Sequence, residues 1–112
     1  MKRGDIVTVS ISGDYGKPRP AIVIQTNALS DTYPSVVVCP MTSTLLDLDF
    51  RILLEPDPEN GLRHPSQVMT DKIIGVSRMK VGGKIGAVSH KDMLRLGRAL
   101  VFLLALAETE DF

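Results

Sequence analysis

Helical periodicity occurs once in this chain, near its C-terminal end, and everything before it is cut into short β-branched runs by turn-forming residues. From Met93 onward the apolar residues Leu96, Leu100, Leu103 and Ala107 recur at a spacing that keeps them on one face of a helix. Ser89, with Asp92 three residues later, resembles a capping box that starts that helix. Upstream, Ile6–Ile11 and Ala21–Gln25 read as two strands separated by the turn-rich Ser12-Gly13-Asp14-Tyr15-Gly16-Lys17-Pro18. Ser35–Pro40 reads as a third, and because Val36-Val37-Val38-Cys39 has no polar alternation, both of its faces are expected to be buried. Phe50, Ile52 and Leu54 alternate with Arg51 and Leu53 in a fourth strand that ends at Pro56-Asp57-Pro58-Glu59-Asn60-Gly61. Gln67–Ile74 is extended, and Lys84–Val88 adds a further short strand. Five or six strands followed by one helix predict a mainly β fold.

At 112 residues the chain has room for one core, so residues 1–112 are read as a single domain. The last two helical turns are apolar nearly all round, which a small antiparallel sheet alone does not cover. A homodimer interface would cover them, with Leu100, Leu103 and Leu104 as the expected contacts. The longest apolar run, Ala99 to Ala107, is less than half of the ~20 residues a membrane span needs. Met1-Lys2-Arg3 runs directly into Gly4-Asp5 with no apolar stretch behind the charges, unlike a secretory signal. The expected location is the cytosol, without membrane contact.

Cys39 is the only cysteine, which excludes an intramolecular disulfide, and its apolar neighbours mark it as a small buried hydrophobe. His64 and His90 lie far apart without ligand-spaced partners, so no metal site and no cofactor are expected. His64 reads as a solvated loop histidine and His90 as exposed at a helix start. Net charge is zero, so composition gives no warrant for nucleic-acid binding. The distribution is uneven, however: Leu45–Glu59 holds five acids against Arg51, whereas Lys72–Arg98 holds seven bases against Asp92. Ordinary solvated faces and a local basic face both fit that pattern.

Four blocks of sequence carry a family likeness. Lys2-Arg3-Gly4-Asp5-Ile6 followed by Gly16-Lys17-Pro18-Arg19-Pro20-Ala21-Ile22-Val23-Ile24 is similar to the opening of the MazF/PemK toxins, where an Arg-Gly-Asp strand precedes an Arg-Pro strand start. Val36-Val37-Val38-Cys39-Pro40-Met41-Thr42-Ser43 resembles that family's apolar strand ending in Pro-x-Thr-Ser. Gly61-Leu62, Pro65-Ser66-Gln67-Val68 and Asp71-Lys72-Ile73 resemble its Gly-Leu, Ser-x-Val and Asp-Gln-Ile segments. The blocks keep the family's order and spacing, from Lys2 to about Ala107.

The resemblance implies an SH3-like barrel of the type shared with CcdB, a C-terminal helix and assembly as a dimer. It also implies a toxin that cuts single-stranded RNA without metal and is held in check by a cognate antitoxin with a disordered acidic tail. Arg19 and Thr42 are the implied catalytic pair, with Lys17, Ser43, Gln67 and Asp71 as substrate contacts. Chemistry agrees for Arg19, since a guanidinium can fork onto a phosphate and stabilise added negative charge, and Pro18 and Pro20 stiffen its backbone. Thr42, placed after the third strand, can donate to a phosphoryl oxygen. The implied reaction is attack of a ribose 2′-hydroxyl on the adjacent phosphate, giving a 2′,3′-cyclic phosphate and a 5′-hydroxyl.

Two departures from the family stand out. The first loop is short and lacks a Glu-Gln segment, leaving Asp14, Tyr15 and Lys17 as substitutes, and Met69 stands where some PemK-like members carry an arginine. The general base is therefore unassigned. The rival from another class is a CcdB-like gyrase poison, but such chains end in Trp-Gly-Ile, and this one ends Glu108-Thr109-Glu110-Asp111-Phe112 with no tryptophan.

Overall fold

In the computed structural model, which describes residues 1–11 and 17–107, seven strands precede one helix. The strands are β1 (Asp5–Val9), β2 (Arg19–Val23), β3 (Ser35–Thr42), β4 (Ile52–Leu54), β5 (Ser66–Val68), β6 (Ile74–Ser77) and β7 (Val81–Ala87), and the helix α1 is His90–Leu103. They hydrogen-bond in the order β4-β5-β3-β2-β1-β7, with β6 also on β3, and every pairing is antiparallel. The sheet curves into a half-barrel capped by the helix, the architecture the family resemblance implies.

Strand β3 organises the sheet. One edge pairs with β2, while the other pairs with β6 along Ser35–Val38 and then with β5 at Met41 and Thr42. Pro40 sits where that edge changes partner. Its carbonyl accepts Met69 N–H at 2.8 Å, so its missing N–H falls on the same edge, in the junction where no ladder donor is required.

The two faces of β3 feed two cores, as its unbroken apolar run predicts. Cys39 and Met41 join Ile6, Ile22, Ile52, Leu54 and Val68 beneath Leu96 and Leu100 of the helix. Val36 and Val38 join Val7, Val9, Ala21, Val23 and Val76 on the other face. Each large side chain buried in this way contributes roughly 1.5–3 kcal/mol of transfer free energy.

Gln67–Ile74 is not one strand. A 3-10 turn, Thr70–Lys72, divides it into β5 and β6, and the buried Thr70 hydroxyl donates to Phe50 O at 2.7 Å. Without that turn the chain could not leave one part of the β3 edge and rejoin it at another. The last strand begins at Val81, three residues earlier than its apolar pattern indicates, because Gly82 and Gly83 hide the period. At Gly86 a Cβ would lie 2.4 Å from the Asn60 backbone, so this close packing of the 55–61 loop on β7 requires glycine.

The helix starts where expected: Ser89 Oγ accepts Asp92 N–H at 3.1 Å. Asp92 turns its carboxylate to Arg95 at 2.8 Å, so the interaction that forms is an N-cap with an i,i+3 ion pair. The end of the helix differs from expectation. Ala107 lies beyond it, because Ala105 adopts φ 53°, with Ala105 N–H on Phe102 O and Leu106 N–H on Val101 O. These two bonds form a Schellman closure with alanine where glycine is usual.

Candidate functional site

In the β2–β3 ladder, Ala21 faces Pro40 and Val23 faces Val38. Continuing that register brings Arg19 across from Thr42, on the face that carries Val36 and Val38. Between them the ladder weakens, since even-numbered residues of β2 point their backbone groups toward β3, as Ile24 N–H on Val37 O shows. Pro20 is one of these and has no N–H to give. The two strands are thus free to part beyond Ala21–Pro40, with exposed Arg19 and half-buried Thr42 on the two lips.

Thr42 Oγ1 accepts Thr44 N–H at 3.1 Å, which shapes the turn into the next loop. That bond uses an oxygen lone pair and leaves the hydroxyl proton for another acceptor. Lys17 and Ser43, both exposed, follow in sequence from the same two lips. Lys80 joins them from a distant part of the chain. Val9 pairs with both Arg19 and Val81, and Ser10 N–H bonds Lys80 O at 3.0 Å, so exposed Lys80 stands at the same end of the sheet. Its position in a run of bases gave no hint of this. The other bases are more dispersed: Lys84 pairs with Asp5 at 3.3 Å, Arg95 with Asp92, and Arg78 donates to Tyr33 O and Ser30 O.

Gln67 and Asp71, expected as substrate contacts, are both hydrogen-bonded within the chain. Gln67 lies directly across β3–β5 from Thr42 and is 7% exposed. Its amide Nε2 donates to Leu46 O at 2.5 Å and its Oε1 accepts Leu46 N–H at 3.1 Å, so both ends are committed to one backbone position. Asp71 accepts Arg51 Nε and Nη2, each at 3.0 Å, in a bidentate pair. Those hydrogen bonds hold its carboxyl below the usual aspartate range and outweigh the partial burial that opposes them. Such a carboxylate is a poor proton acceptor. It stands in the turn after β5, and its side-chain partner is Arg51. Met69 thus replaces one possible arginine partner, and Arg51 from the strand β4 side supplies another.

Burial, with a smaller contribution from Asp71, pushes the Cys39 thiol up to about 12, which makes it inert as a nucleophile. His64 and His90 are exposed, as expected. Among the described residues no three His, Cys, Asp or Glu side chains converge as metal ligands, and no helix is long and apolar enough to cross a membrane. Asp14 and Tyr15 of the first loop, and the Glu108–Phe112 tail, lie outside the described residues.

The helix presents an apolar outer surface. Leu94, Val101, Phe102, Leu104 and Leu106 are all exposed, Phe102 to 74%. An open groove of about 480 Å³ runs past Leu94, Gly97, Val101 and Phe102 to Arg3. Leu100, expected at a dimer contact, is instead 8% exposed in this chain's own core, and Leu103 is half-buried.

Comparison with known proteins agrees with this architecture. The chain is 40% identical over 109 residues, 96% of its length and 99% of the relative's, to a probable endoribonuclease MazF of Mycolicibacterium smegmatis. Its fold is similar to that of the Mycobacterium tuberculosis toxin MazF-mt6, with a TM-score of 0.79 at 22% identity, covering 90% of this chain and 96% of the other. An endoribonuclease in complex with its cognate antitoxin, from a mycobacterial species, gives a TM-score of 0.82 at 20% identity, with 97% and 99% covered. Residues 2–104 match the family model, and the chain belongs to the PemK-like, MazF-like toxins of type II toxin–antitoxin systems.

Proposed function

We propose that this chain is the toxin of a toxin–antitoxin pair and an endoribonuclease that cleaves single-stranded mRNA at a specific sequence, in the cytosol, without metal, thereby halting translation and growth. The reading is supported by the β2–β3 register, which, continued past Ala21–Pro40, sets Arg19 across from Thr42, with Lys17 close by in sequence and Lys80 at the same end of the sheet. Phosphate binds there through Lys17, Lys80 and Ser43, which position the strand without reading its sequence.

In the reaction the ribose 2′-hydroxyl attacks the adjacent phosphorus. The P–O5′ bond breaks, the upstream fragment keeps a 2′,3′-cyclic phosphate, and the 5′-oxygen leaves with a proton as a hydroxyl. Arg19 forks onto the non-bridging oxygens as charge builds on them, and the Thr42 hydroxyl donates to one of the same oxygens. The nucleophile already belongs to the substrate, so orientation replaces much of what a metal-activated water would supply.

The chain works as a homodimer joined through the exposed helix surface around Leu94, Val101 and Phe102. A cognate antitoxin covers the cationic mouth with an acidic segment. The likeness to the mycobacterial endoribonuclease in complex with its cognate antitoxin, and the 40% identity to a probable endoribonuclease, support this reading.

End-group analysis of a cleaved single-stranded RNA in EDTA tests it. A cyclic phosphate upstream and a 5′-hydroxyl downstream are expected, and a 2′-deoxyribose at the scissile position should block cleavage while binding survives. A 5′-phosphate product, cleavage of the deoxy-substituted strand, or an absolute need for a divalent cation would refute this route. Inhibition of DNA gyrase without RNA cleavage would replace it with a CcdB-like activity.

A further inference from the structure

Four strands place one residue each in a single row across the sheet. Arg19 on β2 is followed by Thr42 on β3, Gln67 on β5 and Leu53 on β4, the last two steps being direct register partners. Direct partners in an antiparallel pair share a face, with Cβ atoms about 4.5–5.5 Å apart. Gln67 is therefore the immediate neighbour of Thr42 on the side away from Arg19. A buried polar residue in that place calls for an explanation, because an apolar side chain would fill the space without needing partners.

Its partners supply the explanation. Both ends of the Gln67 amide are used on Leu46, which lies in the middle of the segment from Ser43 to Phe50 that leaves Thr42. The far end of that segment is tied separately, by the Thr70 hydroxyl on Phe50 O and by the Arg51–Asp71 pair. At the near end, Thr44 N–H bonds Thr42 Oγ1 itself, a tie within the loop's own first residues. Leu45 and Leu46 are each about half exposed at the crest, so apolar burial does little to hold the segment down. The Gln67 amide is what connects the middle of the loop to the strand beside Thr42.

We infer that Gln67 is a positioning residue for RNA cleavage. By clamping Leu46 N–H and C=O it fixes the loop that begins at Thr42–Ser43, and through that loop it sets where the Thr42 hydroxyl and Ser43 stand relative to Arg19. Gln67 acts from beneath the loop and does not touch the substrate. This inference rests on the ribonuclease reading above.

An amide meets the requirement because it presents a donor and an acceptor together. A neutral carboxyl does the same, whereas an ionised one cannot donate and sets its charge against Leu46 O. Gln67→Glu therefore builds in a readout. Burial beside a carbonyl raises the pKa of the introduced group, so the fitting neutral form exists below that pKa and is lost as pH rises through it.

The experiment measures kcat and KM for the wild-type chain, Gln67→Glu and Gln67→Leu, well below each melting temperature and per folded molecule. At neutral pH and above, both variants should lose on the order of 10–100-fold in kcat, the scale of a misplacement near 1 Å, with KM changed by less than about threefold. The ratio of Gln67→Glu to wild type should climb toward one as pH is lowered from ~8 to ~5, while that of Gln67→Leu stays flat. Amide hydrogen exchange gives a second measurement: Leu46 should lose protection in Gln67→Leu, while Met69, bonded to Pro40 O, keeps it. If Gln67→Leu fails to fold, the pH-dependent ratio in Gln67→Glu decides. Wild-type kcat in either variant at pH ~8, or a pH-independent ratio in Gln67→Glu, would overturn the inference and leave the ribonuclease reading standing. A wild-type chain that cuts no RNA would overturn both.

Discussion

Asp71→Asn should destabilise the chain in a way that acid abolishes. The Arg51 side chain is 5% exposed and that of Asp71 is 30%, and two N–H···O bonds of 3.0 Å join them. Hydrogen bonds to charged groups in mutational series contribute about 1.5–3 kcal/mol each, but water reaches Asp71 and an asparagine oxygen can still accept one of them. The loss should therefore be about 1–2 kcal/mol, or about 3–10 °C in Tm at fixed protein concentration. The pH dependence follows from the direction of the Asp71 shift. Arg51 lowers the folded-state pKa below the unfolded value of ~3.9, so the stabilisation is fully present above that value and disappears as pH falls through the folded one. Urea denaturation of both chains from pH ~7 to ~2 should show a constant gap down to pH ~5 that closes in stronger acid. A gap below ~0.3 kcal/mol at neutral pH, or one that persists undiminished in acid, would refute the reasoning.

Arg19→Ala and Thr42→Ala should each melt within a few degrees of the wild-type chain yet lose on the order of 10²–10³-fold in kcat on RNA. Arg19→Lys should recover only part of that loss, because an ammonium lacks the planar fork, and a fully active Arg19→Lys would show that charge alone suffices. Phe102→Asp should convert a dimer at micromolar concentration into a monomer by light scattering, and an unchanged dimer would place the interface elsewhere. Ala105→Gly should raise stability by about 0.5–1 kcal/mol, since relief of left-handed strain exceeds the extra unfolded-state entropy, and a melting curve that falls would refute that balance.

The elements whose start or stop depends on residue chemistry were legible in the sequence. Ser89 announces the helix because its hydroxyl accepts an orphan amide, and the valines of β3 announce a strand buried on both faces. The helix end was hidden because alanine at position 105 occupies a conformation that ordinarily signals itself through glycine. The break between β5 and β6 was hidden for a similar reason: Thr70-Asp71-Lys72 contains no glycine or proline, and only the tertiary bond of Thr70 to Phe50 shows why the chain turns there. For the site, family motifs indicated Arg19 and Thr42, but local sequence could not bring Lys80 beside them. The fates of Gln67 and Asp71 were equally out of reach, since the Leu46 backbone and Arg51 lie 21 and 20 residues away from them, respectively.

The divided outer edge of β3 has a consequence for how this chain could lose its activity. A strand held by one partner can slip by a residue if its two faces are alike, but β3 is held by β2 on one side and by β5 and β6 on the other. A one-residue slip would turn the Thr42 hydroxyl to the opposite face, and it would also exchange Cys39 and Met41 with Val38 and Pro40 between two cores of different shape. It would move Pro40 off the one junction that tolerates a missing amide as well. The error that would disarm the chain would therefore also unfold it. A stable but harmless misfolded form has no register to occupy, so silencing a folded copy falls to a substitution in or beneath the mouth, or to a second molecule placed over it.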